Sequence, residues 1–283
     1  MTDERPRFTL KQAVCATDPK VAVDFLAHHA GLSKAAVKDA MNKGAAWLVR
    51  QGTRRVRRAD TLLQEGDRVE LHYDKQLLAL TAPPGRCLLS NTHYSLWFKP
   101  SGLLAQGTAF GDHCSLLRQV EKKLRDEGKT PHLIHRLDRE AAGIMLFAHT
   151  RSAAAKLSAL FQANQVTKRY RIQVRGDLAK HHGTQGRIDL PLDGKAAVTE
   201  YNVTAYDTVT DTATVEIHLL TGRLHQIRRH LHALGCPVVG DPKYGHGNKN
   251  KDGMRLVATG LGFTCPFSRQ PVAVNLDDSD IGF

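Results

Sequence analysis

The sequence predicts an α+β protein. A small basic N-terminal domain precedes a larger domain built on a mostly antiparallel, mixed sheet with flanking helices. Three observations carry this expectation. Basic residues crowd one early segment, from Lys34 to Arg58, in which Asp39 is the lone acid. The turn formers Pro83, Pro84, Gly85, Ser90 and Asn91 then interrupt the chain. Beyond them, strand-like stretches recur between helical ones.

A chain of 283 residues is long enough for two modest domains or one large one. Its hydrophobic content of 41% supports a packed core and excludes wholesale disorder. The mean hydropathy is negative, and no apolar run approaches the roughly 20 residues needed to span a bilayer. The opening residues Thr2, Asp3, Glu4 and Arg5 lack the apolar stretch of a signal peptide. A soluble, cytoplasmic protein is therefore expected. The cysteines at 15, 87, 114, 236 and 265 are odd in number, widely spaced and free of any C-x-x-C pair, which argues against a disulfide framework or a cysteine-rich zinc site. The net charge of +12 draws the protein to polyanions, and in the cytoplasm the abundant polyanion is RNA.

In the basic segment, a first helix is expected near Val21 to His29, with Val21, Phe25 and Leu26 as its apolar stripe. A second starts after Ser33, a good N-cap, and ends before Gly44, a good C′ residue. Val37 and Met41 lie four apart on one face, Lys34 and Lys38 on another. Strand-like Trp47 to Val49 runs into a Gln51-Gly52 turn, and strand-like Arg68 to Tyr73 follows the turn at Glu65-Gly66-Asp67. A basic helix beside a short basic hairpin makes a positive surface suited to tracking RNA phosphates. Lys34, Lys38, Arg54, Arg55, Arg57 and Arg58 are the candidate contacts. The pattern DFLAHHAGLSKAAVKDAMNKGAAWLV followed by EGDRVEL resembles the S4-like RNA-binding domain over roughly residues 7 to 75. The domains are expected at 1–75 and 93–283, with 76–92 as a linker.

The larger domain opens with Tyr94-Ser-Leu-Trp-Phe-Lys-Pro-Ser-Gly-Leu, read as a strand broken at Lys99 to Gly102, and a helix is expected around Leu116 to Glu127. The most informative segment follows, from His132 to Ala148. Its apolar end, Ile144 to Ala148, reads as a buried strand. Just before it lie His135, Arg136, Asp138, Arg139 and Glu140. Such clusters are often sites, because loops held by rigid elements carry function. Further strands are expected at Tyr170 to Arg175, Glu200 to Tyr206 and Thr214 to Leu219, with helices near Ser152 to Gln162 and Arg223 to Leu234.

The run HRLDREAAGIML resembles the signature of the RluA-type pseudouridine synthases, H-R-L-D with a glycine five residues after the aspartate. His135, Arg136, Leu137, Asp138 and Gly143 match it. Lys168-Arg169-Tyr170 resembles the family's K-x-Y element, and Gly222-Arg-Leu-His-Gln-Ile-Arg228 its G-R-T-H-Q-I-R segment. Gly240-Asp-Pro-Lys-Tyr-Gly245 and Lys99-Pro-Ser-Gly102 also fit, so the match covers about residues 92 to 275. The resemblance implies Asp138 as the catalytic residue, Tyr170 as the active-site tyrosine and Arg223 as the arginine paired with the aspartate. Ala141-Ala142 stand where members usually carry Thr-Ser, Leu224 where threonine is usual, and Cys265-Pro266 where His-Pro is common.

The implied reaction breaks the N1–C1′ bond of uridine, turns the base and joins C5 to C1′. No atom is lost and no redox change occurs, so neither cofactor nor metal is expected, and no G-x-G-x-x-G, P-loop or H-E-x-x-H is present. The carboxylate attacks covalently or removes a sugar proton. A guanidinium, in this reading Arg223, keeps it ionised and aimed. Tyr170 stacks on the base and relays its C5 proton. Arg136 and Arg139 hold phosphates or fill the stack vacated by a flipped base, and His135 and Arg228 complete the RNA-binding candidates. Structured RNA is the expected partner, ribosomal more than transfer RNA, no membrane partner is expected, and the protein is expected to be a monomer. The alternative is a non-catalytic RNA-binding factor in ribosome assembly that keeps the fold, motivated by Ala141, Ala142 and Leu224.

Overall fold

The structure, a computed structural model, describes residues 7–245 and 252–283. The opening residues Thr2 to Arg5 lie outside the described residues. Two compact units are present. One runs to Pro83 and takes in Gln106–Gln119; the other holds Pro84–Ala105 and Val120–Phe283.

The first unit begins with β1 (Arg7–Ala13), α1 (Ala22–Ala30), α2 (Lys34–Asn42), β2 (Ala46–Val49), β3 (Thr53–Arg55), β4 (Arg68–Asp74) and α3 (Lys75–Ala79). Its strands form an antiparallel sheet in the order β1-β4-β2-β3. The apolar stripes of α1 and α2 close over one face of that sheet. Phe25, Leu26, Val37, Met41, Leu48, Val69 and Leu71 are all fully buried there. Ser33 caps α2 by accepting a hydrogen bond from the Ala36 amide at 3.2 Å, and Gly44 takes the left-handed conformation just past its end.

Two sequence expectations change here. Residues 76–92 do not form a bare linker, because they carry most of α3 and then β5 (Arg86–Ser90). The Asp74 side chain caps α3 by accepting from the Leu77 amide, and Leu78 is buried. Residues 106–119, expected in the larger domain, belong to the first unit. Asp112 is nearly buried there and is ion-paired by both Arg55 and Arg57, while the Trp47 indole donates to the Ala109 carbonyl at 3.0 Å.

The second unit continues with β6 (Tyr94–Lys99), α4 (Leu116–Leu124, within which the two units divide), β7 (His132–Leu133), β8 (Ala142–Ala148), α5 (Arg151–Gln162), β9 (Val166–Arg175) and α6 (Leu178–His182). Then come β10 (Gln185–Asp189), β11 (Val198–Asp207), β12 (Thr212–Leu219), α7 (Gln226–Ala233), β13 (Leu256–Thr264), β14 (Pro271–Asn275) and α8 (Asp278–Ile281). The strands build one large mixed sheet in the order β10-β11-β12-β9-β13-β8-β6-β5, with β14 beside β13 and β7 beside β8. Among the described strands, β13 with β8 is the parallel pair and the rest are antiparallel.

Two local features fix the site. Gly143, at φ +122°, sits where β8 passes β13, and a Cβ there would lie 2.3 Å from the Ala258 carbonyl oxygen. Only glycine permits that approach. The second is the start of α7, at Gln226 rather than the expected Arg223. His225 stands in the left-handed conformation (φ 53°), and the Gln226 side-chain oxygen accepts from the Arg223 amide and the Thr221 hydroxyl. Those bonds hold the preceding chain in a turn, so the helix cannot begin earlier.

Candidate active site

The β7–β8 connection, residues 134–141, carries Asp138. It is anchored from several sides. The Ser101 hydroxyl donates to the Glu140 carbonyl at 2.6 Å, and the Gly102 amide donates to the Arg139 carbonyl at 2.7 Å. Lys99 is fully buried, and its ammonium donates to the carbonyls of Pro100, Leu103 and Arg139. Burial pushes that ammonium down to about 7, against the pull of Glu140 and Asp138. The Lys99-to-Gly102 motif is thus the bracket that holds the loop carrying Asp138.

Asp138 lines a cavity of about 760 Å³. Its partner is Arg228, not Arg223. Arg228 Nη1 donates to Asp138 Oδ2 at 2.7 Å, while its Nε and Nη2 donate to Asp241 at 2.7 and 2.8 Å. Asp241 is itself buried and accepts from the amides of Lys243 and Tyr244. Burial works against the charge on Arg228, but its hydrogen bonds to Asp241 and Asp138 prevail, and its pKa is raised above the ordinary value. Burial likewise opposes ionisation of Asp241, and Arg228 and the two amides overcome it, lowering its pKa. Arg223 is exposed on the cavity wall, and its Nε donates to the Ala196 carbonyl at 2.9 Å. The expected pairing of Arg223 with Asp138 is therefore absent. The physical reason is the late start of α7: Arg223 precedes the helix, whereas His225 and Arg228 stand three apart at its first turn and converge on one carboxylate.

His225 is the second neighbour of Asp138. Its Nε2 lies 3.7 Å from Asp138 Oδ1, and its Nδ1 lies 3.0 Å from the Tyr244 hydroxyl. Burial lowers its pKa, against the opposing pull of Asp138. A tyrosine hydroxyl donating to Nδ1 leaves the proton on Nε2, facing the carboxylate. Sequence reasoning missed His225, Tyr244 and Asp241 as a set, although both segments that carry them fitted the family pattern.

Tyr170 projects from β9 into the same cavity and is buried. Burial, helped by the Asp138 charge, raises its pKa well above the ordinary phenol value, so it stays a neutral phenol. His135, an expected RNA contact, lines the same cavity and also braces the loop. Its Nε2 accepts from the Leu146 amide at 3.1 Å, and its ring stacks on Phe161 at 4.9 Å. Burial pushes its pKa down to about 4, and the Lys168 charge adds to this. Arg136 and Arg139 are both exposed; Arg136 lines the cavity, and Arg139 ion-pairs with Glu140 at 3.1 Å.

The basic candidates of the first unit divide. Lys38 and Arg54 are exposed, Lys34 is exposed and paired with Asp24, and Arg58 is paired with Asp60. Arg55 and Arg57 are spent inside the unit. Arg55 lies over the Trp47 ring at 4.1 Å and donates to the Gly44 and Thr108 carbonyls; Arg57 donates to the Asn42 carbonyl, and both engage Asp112.

A family model described as RNA pseudouridylate synthase matches residues 93–233. A relative from Aquifex aeolicus, named an uncharacterized RNA pseudouridine synthase, is 30% identical over 244 residues, covering 78% of this chain and 75% of its own. The ribosomal large subunit pseudouridine synthase D of Zymomonas mobilis is 29% identical over 221 residues, covering 67% and 68%. Relatives named for ribosomal RNA and for transfer RNA both occur among the matches. Of solved structures, human RNA Pseudouridylate Synthase Domain Containing 4 shares the fold with a TM-score of 0.56 at 24% identity, covering 68% of this chain and 88% of its own.

Proposed function

This chain belongs to the RluA-type family of RNA pseudouridine synthases and isomerises uridine in RNA to pseudouridine; we propose that it does so with Asp138 as the catalytic carboxylate and Arg228 as its partner. The observation that carries this reading is the 2.7 Å contact between Arg228 Nη1 and Asp138 Oδ2 in the wall of the cavity. An arginine anchored on a buried Asp241 fixes one carboxylate oxygen and keeps the group ionised. The other oxygen, Oδ1, is left for the ribose, with His225 beside it. Attack on C1′ and removal of a sugar proton both require that free oxygen.

Tyr170, as a neutral phenol, has an aromatic face for the flipped uracil and a hydroxyl that donates a hydrogen bond. It does not serve as a phenolate base. Extruding a base costs a few kcal/mol; in this reading Arg136, which is exposed and lines the cavity, offsets this by holding phosphate or filling the gap. The first unit is, in this proposal, an S4-like RNA-binding module, with Lys38 and Arg54 as its leading phosphate contacts. The substrate is ribosomal large-subunit RNA, and the enzyme works in the cytoplasm, where unmodified RNA is made and folded.

The test uses in vitro transcripts of ribosomal and transfer RNA carrying tritium at uridine C5, incubated with the protein and with its Asp138→Asn variant. Isomerisation expels that hydrogen into water. Release from large-subunit ribosomal RNA by the unaltered protein alone supports the proposal in full. Equal release by Asp138→Asn refutes the catalytic carboxylate, and release from transfer RNA alone refutes the substrate.

A further inference from the structure

The reaction assigns no task to Lys168. It precedes Tyr170 by two residues on β9, so the pleat turns both side chains to one face, about 7 Å apart along the strand. Both line the cavity that holds Asp138. Lys168 is half-buried, yet its ammonium makes no ion pair or hydrogen bond with any described residue. The Ala159, Leu160 and Phe161 carbonyls near the end of neighbouring α5 do not need it, because the amides of Ala163, Gln165 and Asn164 already bond them. Among the described residues Asp138 is the one acid lining the cavity, and Arg228 holds it.

A half-buried cation without an anion is costly unless a ligand brings the anion. The surroundings describe that ligand. Gln162 and Asn164 line the same cavity with exposed amide side chains, and the stacked pair His135–Phe161 adds an apolar wall. One compact ammonium with neutral hydrogen-bonding neighbours suits a phosphodiester met as a point charge.

We infer that Lys168 binds a backbone phosphate of the flipped uridine, forming a phosphate subsite with Gln162 and Asn164 beside the reacting ribose. This rests on the reading that Asp138 meets the ribose and Tyr170 the base. A base on Tyr170 with its C1′ at Asp138 sends the nucleotide's own backbone along β9 toward Lys168. The subsite then does two things. It draws the target out of its stack, and it sets which way round the nucleotide enters. Burial lowers the Lys168 pKa, and a bound phosphate opposes that shift by favouring the charged ammonium.

The experiment compares the unaltered full chain with Lys168→Gln and Lys168→Arg on the tritiated large-subunit transcript. Turnover is followed by tritium release, and binding is measured across 50 to 400 mM potassium chloride in an Asp138→Asn background. Removing one phosphate contact should lower the slope of log affinity against log salt by about 0.7 to 0.9. Lys168→Gln is expected to show that loss, with KM raised about 5- to 30-fold and kcat within about threefold, while Lys168→Arg restores the slope and most of KM. An unchanged slope in Lys168→Gln overturns the inference. So does a fall in kcat with KM and slope intact, which would assign the charge to the departing uracil. Equal thermal melting of the three proteins establishes that folding is not the cause. If the unaltered protein releases no tritium, the catalytic reading has failed, and the binding slopes still decide whether Lys168 holds phosphate.

Discussion

The sharpest test of the site is a pair of substitutions, Arg228→Lys and Arg223→Lys. Arg228 makes three charge-assisted hydrogen bonds from a side chain only 3% exposed, two to Asp241 and one to Asp138. A lysine ammonium cannot reproduce that fork. Placed against the deeper Asp241, it forfeits the contact with Asp138 Oδ2. Losing a hydrogen bond between charged groups costs about 1.5–3 kcal/mol, which is roughly a 10- to 150-fold fall in kcat at about 1.4 kcal/mol per tenfold. Arg228→Met goes further, leaving the buried Asp241 carboxylate, among the described residues, with its two amide donors. A broken buried pair of this kind costs about 3–5 kcal/mol in stability, a fall in Tm of about 10 °C for a chain of this size. Arg223 is exposed and bonded to a backbone carbonyl, so Arg223→Lys should stay within about threefold of the unaltered rate. Single-turnover tritium release and thermal melting measure both effects. The reasoning fails if Arg228→Lys keeps near-full kcat while Arg223→Lys loses it.

Other consequences follow from the same geometry. His135 must be neutral to accept the Leu146 amide, and its folded pKa of about 4 lies below that of a free imidazole. Between those values the unfolded chain binds the extra proton, so the stability is complete above about pH 6.5 and falls as the pH drops toward 4. Melting curves at pH 7 and 5 should show the unaltered protein losing more than His135→Gln; parallel losses would exclude this role. Gly143→Ala pushes a methyl against the Ala258 backbone at φ +122°, and a cost of about 3 kcal/mol or more is expected as a lowered Tm. Tyr170→Phe should lower single-turnover kcat less than Tyr170→Leu, because stacking survives in the first; equal losses would assign the hydroxyl the main part. The double reversal Lys38→Glu with Arg54→Glu should weaken RNA binding at least tenfold at low salt and leave kcat at saturating RNA unchanged, and unaltered affinity would remove the first unit from RNA recognition.

Local signals carried most elements to within a few residues. Ser33 and Gly44 marked both ends of α2, and the apolar run Ile144 to Ala148 marked the core of β8. Positions set by distant contacts were less legible. Nothing local says that residues 106–119 belong with the first unit. Their place depends on Asp112 meeting Arg55 and Arg57, more than fifty residues away in sequence. The same partnership removes two of six expected RNA contacts, since a count of positive charges does not distinguish a side chain that faces water from one that braces a loop.

The confusion of Arg223 with Arg228 has the same origin. Both arginines lie in one heptapeptide, GRLHQIR, and the choice between them turns on which residue begins the helix. A helix from Arg223 would set that arginine and Ile227 on one face. The Gln226 side chain caps the preceding turn and delays the helix by three residues, so His225 and Arg228 take the inward face instead. One hydrogen-bonding glutamine thus decides which guanidinium meets the carboxylate. Gln226→Ala tests this. It should free the turn, loosen the aim of Arg228 and reduce kcat about tenfold or more with little change in KM. A rate unaffected by Gln226→Ala would mean that Asp241 alone holds Arg228 in place.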